Sequence, residues 1–230
     1  MSDTNIRFLD QLITTRRSCR AFKPDPVPEP VIRDILDTAR WAPSATNIQP
    51  WHVRVVTGGP LKALAAELTA VDNDPEQQAA HKREVAYYPA QWRAPYYERR
   101  KRVGIQLYSS IGIPKGDKER MQAQHNRNFK FFDAPVAMVF TIDRDLAIGS
   151  WLDYGFFLQN ILLAAAVRGL ATCVQAGPTQ YHLIFRKHLN IPDTEVMVVC
   201  IALGQAIPDA PTASFTPERE EVDTFATFIS

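Results

Sequence analysis

Only three of the 230 residues are cysteine, Cys19, Cys173 and Cys200. Odd in number and far apart, they exclude a disulfide framework and a CxxC metal site, and they fit a reducing, cytoplasmic setting. Net charge is equally scarce, since 26 Lys and Arg against 25 Asp and Glu leave only +1. Without a strong overall field there is no electrostatic reason to expect nucleic acid or a membrane surface as partner, which favours a small-molecule ligand. Long apolar runs are missing too. The most apolar stretch, 154–167, is too short to cross a bilayer and carries Gln159 and Asn160 at its middle, which suits a buried core helix. The Arg16-Arg17 pair invites an export reading, but Ala21-Phe22-Lys23-Pro24-Asp25-Pro26 behind it has neither the apolar core nor the cleavage site of a signal.

Familiar catalytic signatures are absent as well. No GxGxxG follows the first expected strand and there is no GxxxxGK[ST], so neither a Rossmann dinucleotide site nor a P-loop is supported. There is no GxSxG elbow and no HExxH, and His52, His81, His125, His182 and His188 form no cluster with metal-ligand spacing, so no metal is expected. With no obvious protein nucleophile, demanding chemistry falls to a bound cofactor.

What is present is 46% hydrophobic residues, enough to bury a sizeable core, and the default is one domain over 1–230. Ile6, Leu9, Leu12 and Ile13 recur at helical spacing and predict a first helix ending near Thr14 or Thr15. After a proline-rich stretch, Ile32, Ile35, Leu36 and Ala39 mark a second helix that stops before Pro43. A loop over 43–50 leads to a strand over 51–57, which Gly58-Gly59-Pro60 closes as a turn, and 61–69 is a helix. Continuous apolar runs at 134–141 and 196–203 read as buried strands, with a central helix at 151–168 stopped by Gly169 between them. Residues 205–230 are proline-rich and read as an extended arm over the surface or a partner subunit. Interleaved strands and helices give an α+β domain.

Two segments carry candidate binding chemistry. Arg16-Arg17-Ser18-Cys19-Arg20 places three guanidinium groups and a hydroxyl at a helix exit, an arrangement that can grip a phosphate monoester. A solvated basic turn has the same composition. Ala42-Pro43-Ser44-Ala45-Thr46-Asn47-Ile48-Gln49-Pro50-Trp51 is stiffened by prolines and offers hydroxyl and amide groups to a polar heterocycle edge or a polyol. Alone, it reads equally well as an ordinary helix-to-strand connection.

Together the two segments resemble the FMN-dependent nitroreductases, whose R-x-S-x-K/R pattern is followed about one helix later by P-S-x-x-N-x-Q-P-W. Arg16, Ser18 and Arg20 match the first pattern, and Pro43, Ser44, Asn47, Gln49, Pro50 and Trp51 the second. Gly169-Leu170-Ala171-Thr172-Cys173, Ile201-Ala202-Leu203-Gly204 and Arg219 extend the likeness over nearly the whole chain, closest to nitrobenzoate-type members. The resemblance implies a mixed sheet flanked by helices and an interlocked homodimer with two FMN sites at its interface. By position, Arg16, Ser18 and Arg219 would hold the phosphate with Arg17 beside them, and Arg20 would lie at the pyrimidine edge. Pro43, Ser44, Asn47 and Gln49 would reach the same flavin from the other subunit. Near Gln175, Ala176 and Gly177 a backbone N–H would meet flavin N5; family members often carry an acidic residue where this chain has Ala176. NADH or NADPH would be a transient co-substrate in a ping-pong exchange with a nitroaromatic acceptor. Flavin reductase, quinone reductase and reductive dehalogenase are rival activities on the same scaffold. A non-catalytic flavin-binding redox sensor is a rival of another class.

Residues 81–130 stand apart, with twelve Lys or Arg against four Asp or Glu and a concentration of Tyr and Trp. They read as an inserted lid in which Trp92 and Tyr96 stack on the aromatic substrate and Arg93 pairs with its carboxylate. The plainer alternative is a solvated amphipathic helix with Val103 and Leu107 turned to the core.

Overall fold

A computed structural model describes residues 3–230, apart from the side chain of Ser214. Helices α1 (Asp3–Thr15) and α2 (Glu29–Ala39) come first, followed by strand β1 (His52–Thr57) and helix α3 (Gly58–Asp72). Gly58-Gly59-Pro60 is therefore not a separate turn. Gly58 takes the left-handed φ of 58° that a sharp reversal needs, and Pro60 already sits in the first turn of α3, where its missing N–H costs nothing. Short α4 (Pro75–Ala80), long α5 (Tyr96–Ser110) and α6 (Lys118–Asn126) lead to β2 (Val136–Asp143), α7 (Ile148–Val167) and β3 (Ala171–Gln175). Then come α8 (His182–Leu189), β4 (Glu195–Gly204) and the single turn α9 (Val222–Phe225).

The four strands pair antiparallel in the order β1-β2-β4-β3. Among the described residues, parallel pairing enters at one point, the bridge from Ser18 to Thr172. Every residue of β4 is buried, as expected of a central strand covered on both faces by helices. One face packs Val139, Cys200 and Ala202 against α3, α8 and the aromatic run Phe129, Phe131 and Phe132. The other packs Phe140, Ile201 and Leu203 against α2 and α7. Cys173 and Cys200 are small core residues, and burial raises the Cys173 thiol to about 11, which keeps it protonated.

Gly204 ends β4 where a side chain has no room. A Cβ there would stand 2.6 Å from Pro135 Cδ and 3.2 Å from Phe22 Cδ1. The missing side chain lets residues 18–23 lie against the sheet: Cys19 N donates to Thr172 O at 2.9 Å, Lys23 N donates to Gln205 O at 2.8 Å, and Phe22 bridges to Ala206. Among the described residues, no helix is long and apolar enough to cross a membrane.

Candidate functional site

The residues after α1 inherit their position from that stapling. Thr14 and Thr15 turn their hydroxyls back onto helix carbonyls, closing the last turn, and the chain then runs beside β3. Arg16, Arg17, Ser18 and Arg20 consequently line one cavity of about 400 Å³ with Thr172 and Ala213. Burial, and then the neighbouring like charge of Arg219, push the Arg16 guanidinium below its usual pKa. Arg17 donates to Ala213 O at 3.2 Å, and Arg20 donates to Ser18 O at 3.2 Å beneath the Phe215 ring. Arg219 donates locally, to Pro217 O and Glu218 O. Among the described residues, none of these four guanidinium groups pairs with a carboxylate. A concentration of positive charge left unneutralised around a cavity is what a dianionic phosphate requires, so the donor set fits the phosphate end of FMN.

The second predicted segment lies elsewhere. Ala45 N donates at 3.0 Å to the buried Asp153 of α7, and Ser44 Oγ accepts from Gln49 N at 3.0 Å. Thr46, Asn47 and Gln49 all adopt left-handed backbone, with φ of 50°, 60° and 49°. Each such residue costs on the order of 1–3 kcal/mol and persists only where its surroundings hold it, which these two hydrogen bonds do. Pro43, Asn47 and Gln49 point to solvent and Ser44 is half-buried. Ala166, near the far end of α7, borders the guanidinium cavity, whereas Asp153 anchors the loop near the start. At about 1.5 Å per residue the two anchors stand roughly 20 Å apart along the helix. Within one chain, the structure keeps the two predicted halves of the site separate.

At the end of β3, Gln175 is buried and its amide donates to Asn128 O at 2.9 Å, so this side chain serves the core. Ala176 and Gly177 follow at the start of the turn Gly177–Tyr181. Here the structure adds a residue that the sequence did not single out. Arg83 Nη1 donates to Ala176 O and to Thr179 Oγ1, both at 2.7 Å, and Nη2 donates to Gly177 O at 3.4 Å. Its only sequence signal was membership of a basic segment, because its partners lie more than ninety positions away.

Within that segment, Trp92 and Tyr96 stack on arginines of the segment itself. Arg100 sits 4.8 Å from the Trp92 ring, and Arg93 5.2 Å from that of Tyr96. None of the three lines the guanidinium cavity. Helix α5 buries no residue, and Val103 is exposed instead of facing the core. Its mooring is ionic: Arg99 Nε meets Glu220 at 2.8 Å, and Arg102 meets Glu220 at 3.2 Å and Glu218 at 3.5 Å. These two carboxylates flank Arg219.

The start of the segment is pinned by charge. Burial opposes ionisation of Glu84, but hydrogen bonds from Arg144 and Arg186, each at 2.8 Å, outweigh it and lower its pKa. Burial likewise opposes Glu195, and Arg54 and Thr141 outweigh it in the same direction. His182, 3.4 Å from Glu84, is pushed below its ordinary value by burial. A depressed histidine stabilises the fold fully above its unfolded value of about 6.5 and loses that contribution as pH falls below it. A depressed glutamate does so below about 4.3. The melting midpoint followed by circular dichroism should therefore be flat near pH 8 to 7, decline gently below about 6.5 and fall more steeply below about 4.3. A midpoint that rises between pH 7 and 6 would contradict this arrangement.

The family model described as "Nitroreductase family" matches residues 13–205. The nitrobenzene nitroreductase of Ectopseudomonas oleovorans is 38% identical over 96% of this chain and 97% of its own length. The 4-nitrobenzoate reductase of Pseudomonas putida is 37% identical over 96% and 95%. Among solved structures, the FMN- and NADPH-dependent nitroreductase from sphigopyxis sp. strain HMH superposes with a TM-score of 0.91 at 31% identity, covering 96% of this chain and 98% of that one. An FMN-dependent nitroreductase from Mycobacterium smegmatis, in complex with NADPH, also gives 0.91, at 27% identity over 98% and 99%.

Proposed function

The chain belongs to the nitroreductase family, and on that premise we propose that it is an FMN-dependent oxidoreductase passing reducing equivalents from NADH or NADPH to a small nitroaromatic acceptor. The observation that carries this reading is the unneutralised guanidinium cavity at the predicted phosphate position. FMN, when held by these residues, would supply the hydride-transfer chemistry that links the nicotinamide to the acceptor.

The chain's own residues bind and orient. Arg16, Arg17, Ser18 and Arg219 would hold the phosphate through guanidinium N–H groups and a hydroxyl, Arg20 would lie at the pyrimidine edge, and the 175–177 loop would offer backbone N–H. Pro43, Ser44, Asn47 and Gln49 complete the site from a second copy, since their own chain anchors them at Asp153, roughly 20 Å along α7 from the Ala166 that borders the guanidinium cavity. A homodimer is further supported by the exposed apolar face of α7, formed by Ile148, Leu152 and Phe156, and by exposed Phe225, Phe228 and Ile229 in the tail. On this reading 1–230 is one domain of a cytoplasmic enzyme, with 81–130 as lid and 205–230 as an arm that reaches the partner.

The acceptor is a nitroarene such as a nitrobenzoate, with Trp92, Arg93 and Tyr96 on the lid as its contacts. Purified protein should be yellow and release FMN on heating. NAD(P)H without oxygen should bleach it, and 4-nitrobenzoate should restore the colour. A preparation that takes up no FMN sinks the proposal, and one that bleaches but recovers with no nitroarene points to a different acceptor. Equal kcat/KM for 4-nitrobenzoate and uncharged nitrobenzene would remove Arg93 from the substrate site.

A further inference from the structure

We infer that Arg83 is a positioning residue that sets the hydrogen-bonding strength of the Ala176–Gly177 peptide and, through it, the reduction potential of the bound flavin. The inference rests on the reading above that residues 175–177 present a backbone N–H to the flavin.

Two donors converge on one carbonyl oxygen. Arg83 Nη1 reaches Ala176 O at 2.7 Å, and Thr179 Oγ1 donates to the same oxygen at 2.9 Å while accepting from Arg83. That carbonyl and the N–H of Gly177 belong to the same peptide group. A cation drawing electron density toward the carbonyl oxygen leaves the N–H more positive, so the peptide becomes a stronger donor on its opposite side. Charge-assisted bonds of this length are about twice as strong as neutral ones, and the arginine fork also fixes the plane of the peptide.

The charge on Arg83 is not spent elsewhere. Its neighbour Glu84 is engaged by Arg144, Arg186 and His182, and among the described residues Arg83 pairs with no carboxylate. The guanidinium is part-buried, where a charge acts over a longer range than in water. A cofactor that gains an electron pair beside this loop gains negative charge, so a polarised N–H and a nearby cation favour its reduced form over its oxidised one. Ala176 itself carries no charge, and the cation behind the loop is the charge the structure supplies there.

Reduction potentials of the FMN-loaded dimer, measured by equilibration with reference dyes, test this. Arg83→Gln removes the charge and should cut the preference for reduced over oxidised FMN about tenfold, a fall of about 30 mV for a two-electron couple. Arg83→Lys should recover most of the loss, because it keeps the charge but can serve only one acceptor well. Thr179→Val, which keeps Arg83 and removes the second donor, should shift the potential the same way by less. A role confined to fastening residue 83 to the following turn would lower the melting temperature and leave the potential in place, and that result overturns the inference. Gly177→Ala separates this failure from failure of the site. A Cβ there meets only Asn128, at 3.8 Å, so the protein has room for it while a flavin against the loop does not. If Gly177→Ala alters FMN affinity and Arg83→Gln leaves the potential unchanged, Arg83 alone loses its role. If Gly177→Ala changes neither affinity nor potential, the loop does not face the flavin, and the inference falls with the reading beneath it.

Discussion

Replacing Arg16 with alanine should weaken FMN binding by roughly 100-fold while leaving the flavin-free protein as stable as before, or more so. The two effects have opposite signs because the same charge is involved. Without a ligand, Arg16 is partly desolvated and repelled by Arg219, so its removal relieves a cost. With phosphate bound, it is one member of a hydrogen-bonded charge pair, and truncating such a member costs about 2–5 kcal/mol, the lower half applying to a half-buried group. At 1.4 kcal/mol per tenfold, that is about two decades in affinity. Riboflavin, which lacks the phosphate, provides the control. Fluorescence titration should show its affinity for Arg16→Ala within about threefold of the unaltered chain. Parallel losses for FMN and riboflavin would mean that Arg16 is not at the phosphate.

The largest effect is expected from Phe156→Glu. Ile148, Leu152 and Phe156 recur every fourth residue on one face of α7 and are 79%, 67% and 51% exposed. Helix α1 packs on α7 yet buries none of its own residues, leaving Ile6, Leu9 and Ile13 exposed as well. Apolar surface on this scale belongs to an interface. An uncompensated carboxylate buried there should cost about 3–5 kcal/mol, raising the dimer dissociation constant by roughly two to four decades. Light scattering should find a monomer at micromolar concentration. FMN should be lost with the dimer, because one chain cannot bring 43–49 and 16–20 to the same ligand. A Phe156→Glu protein that remained dimeric and yellow would remove α7 from the subunit contact.

Much of this was legible in the sequence because it was local. Arg16, Ser18 and Arg20 alternate within one short segment, and Pro43 to Trp51 carries its pattern in consecutive residues. The buried strands appeared as unbroken apolar runs, and the central helix differed from its expected span only at its ends. Strand β3 was missed because Ala-Thr-Cys-Val-Gln is short and mixed, and owes its strand state to β4 beside it. Helices α4, α6 and α8 are too short, and the first two too polar, to show a helical period. Val103 looked like a core residue because it and Leu107 stand four apart, on one face of α5, but ion pairs, not burial, hold that helix. Arg83 was invisible for a different reason. Its meaning lies in a tertiary contact, and nothing in a run of basic residues marks the one that reaches a carbonyl across the fold.

The Glu-Arg-Glu stretch at 218–220 hangs from α5 by both of its carboxylates. The helix cannot swing outward without straining the irregular segment that carries Arg219, so on the proposed reading, uncovering the flavin and slackening its anchor are one movement, not two. Because that tether is ionic and partly open to water, rising salt loosens cover and anchor together. A turnover that has to open the cover thus risks shedding the pigment, and the hazard grows with ionic strength.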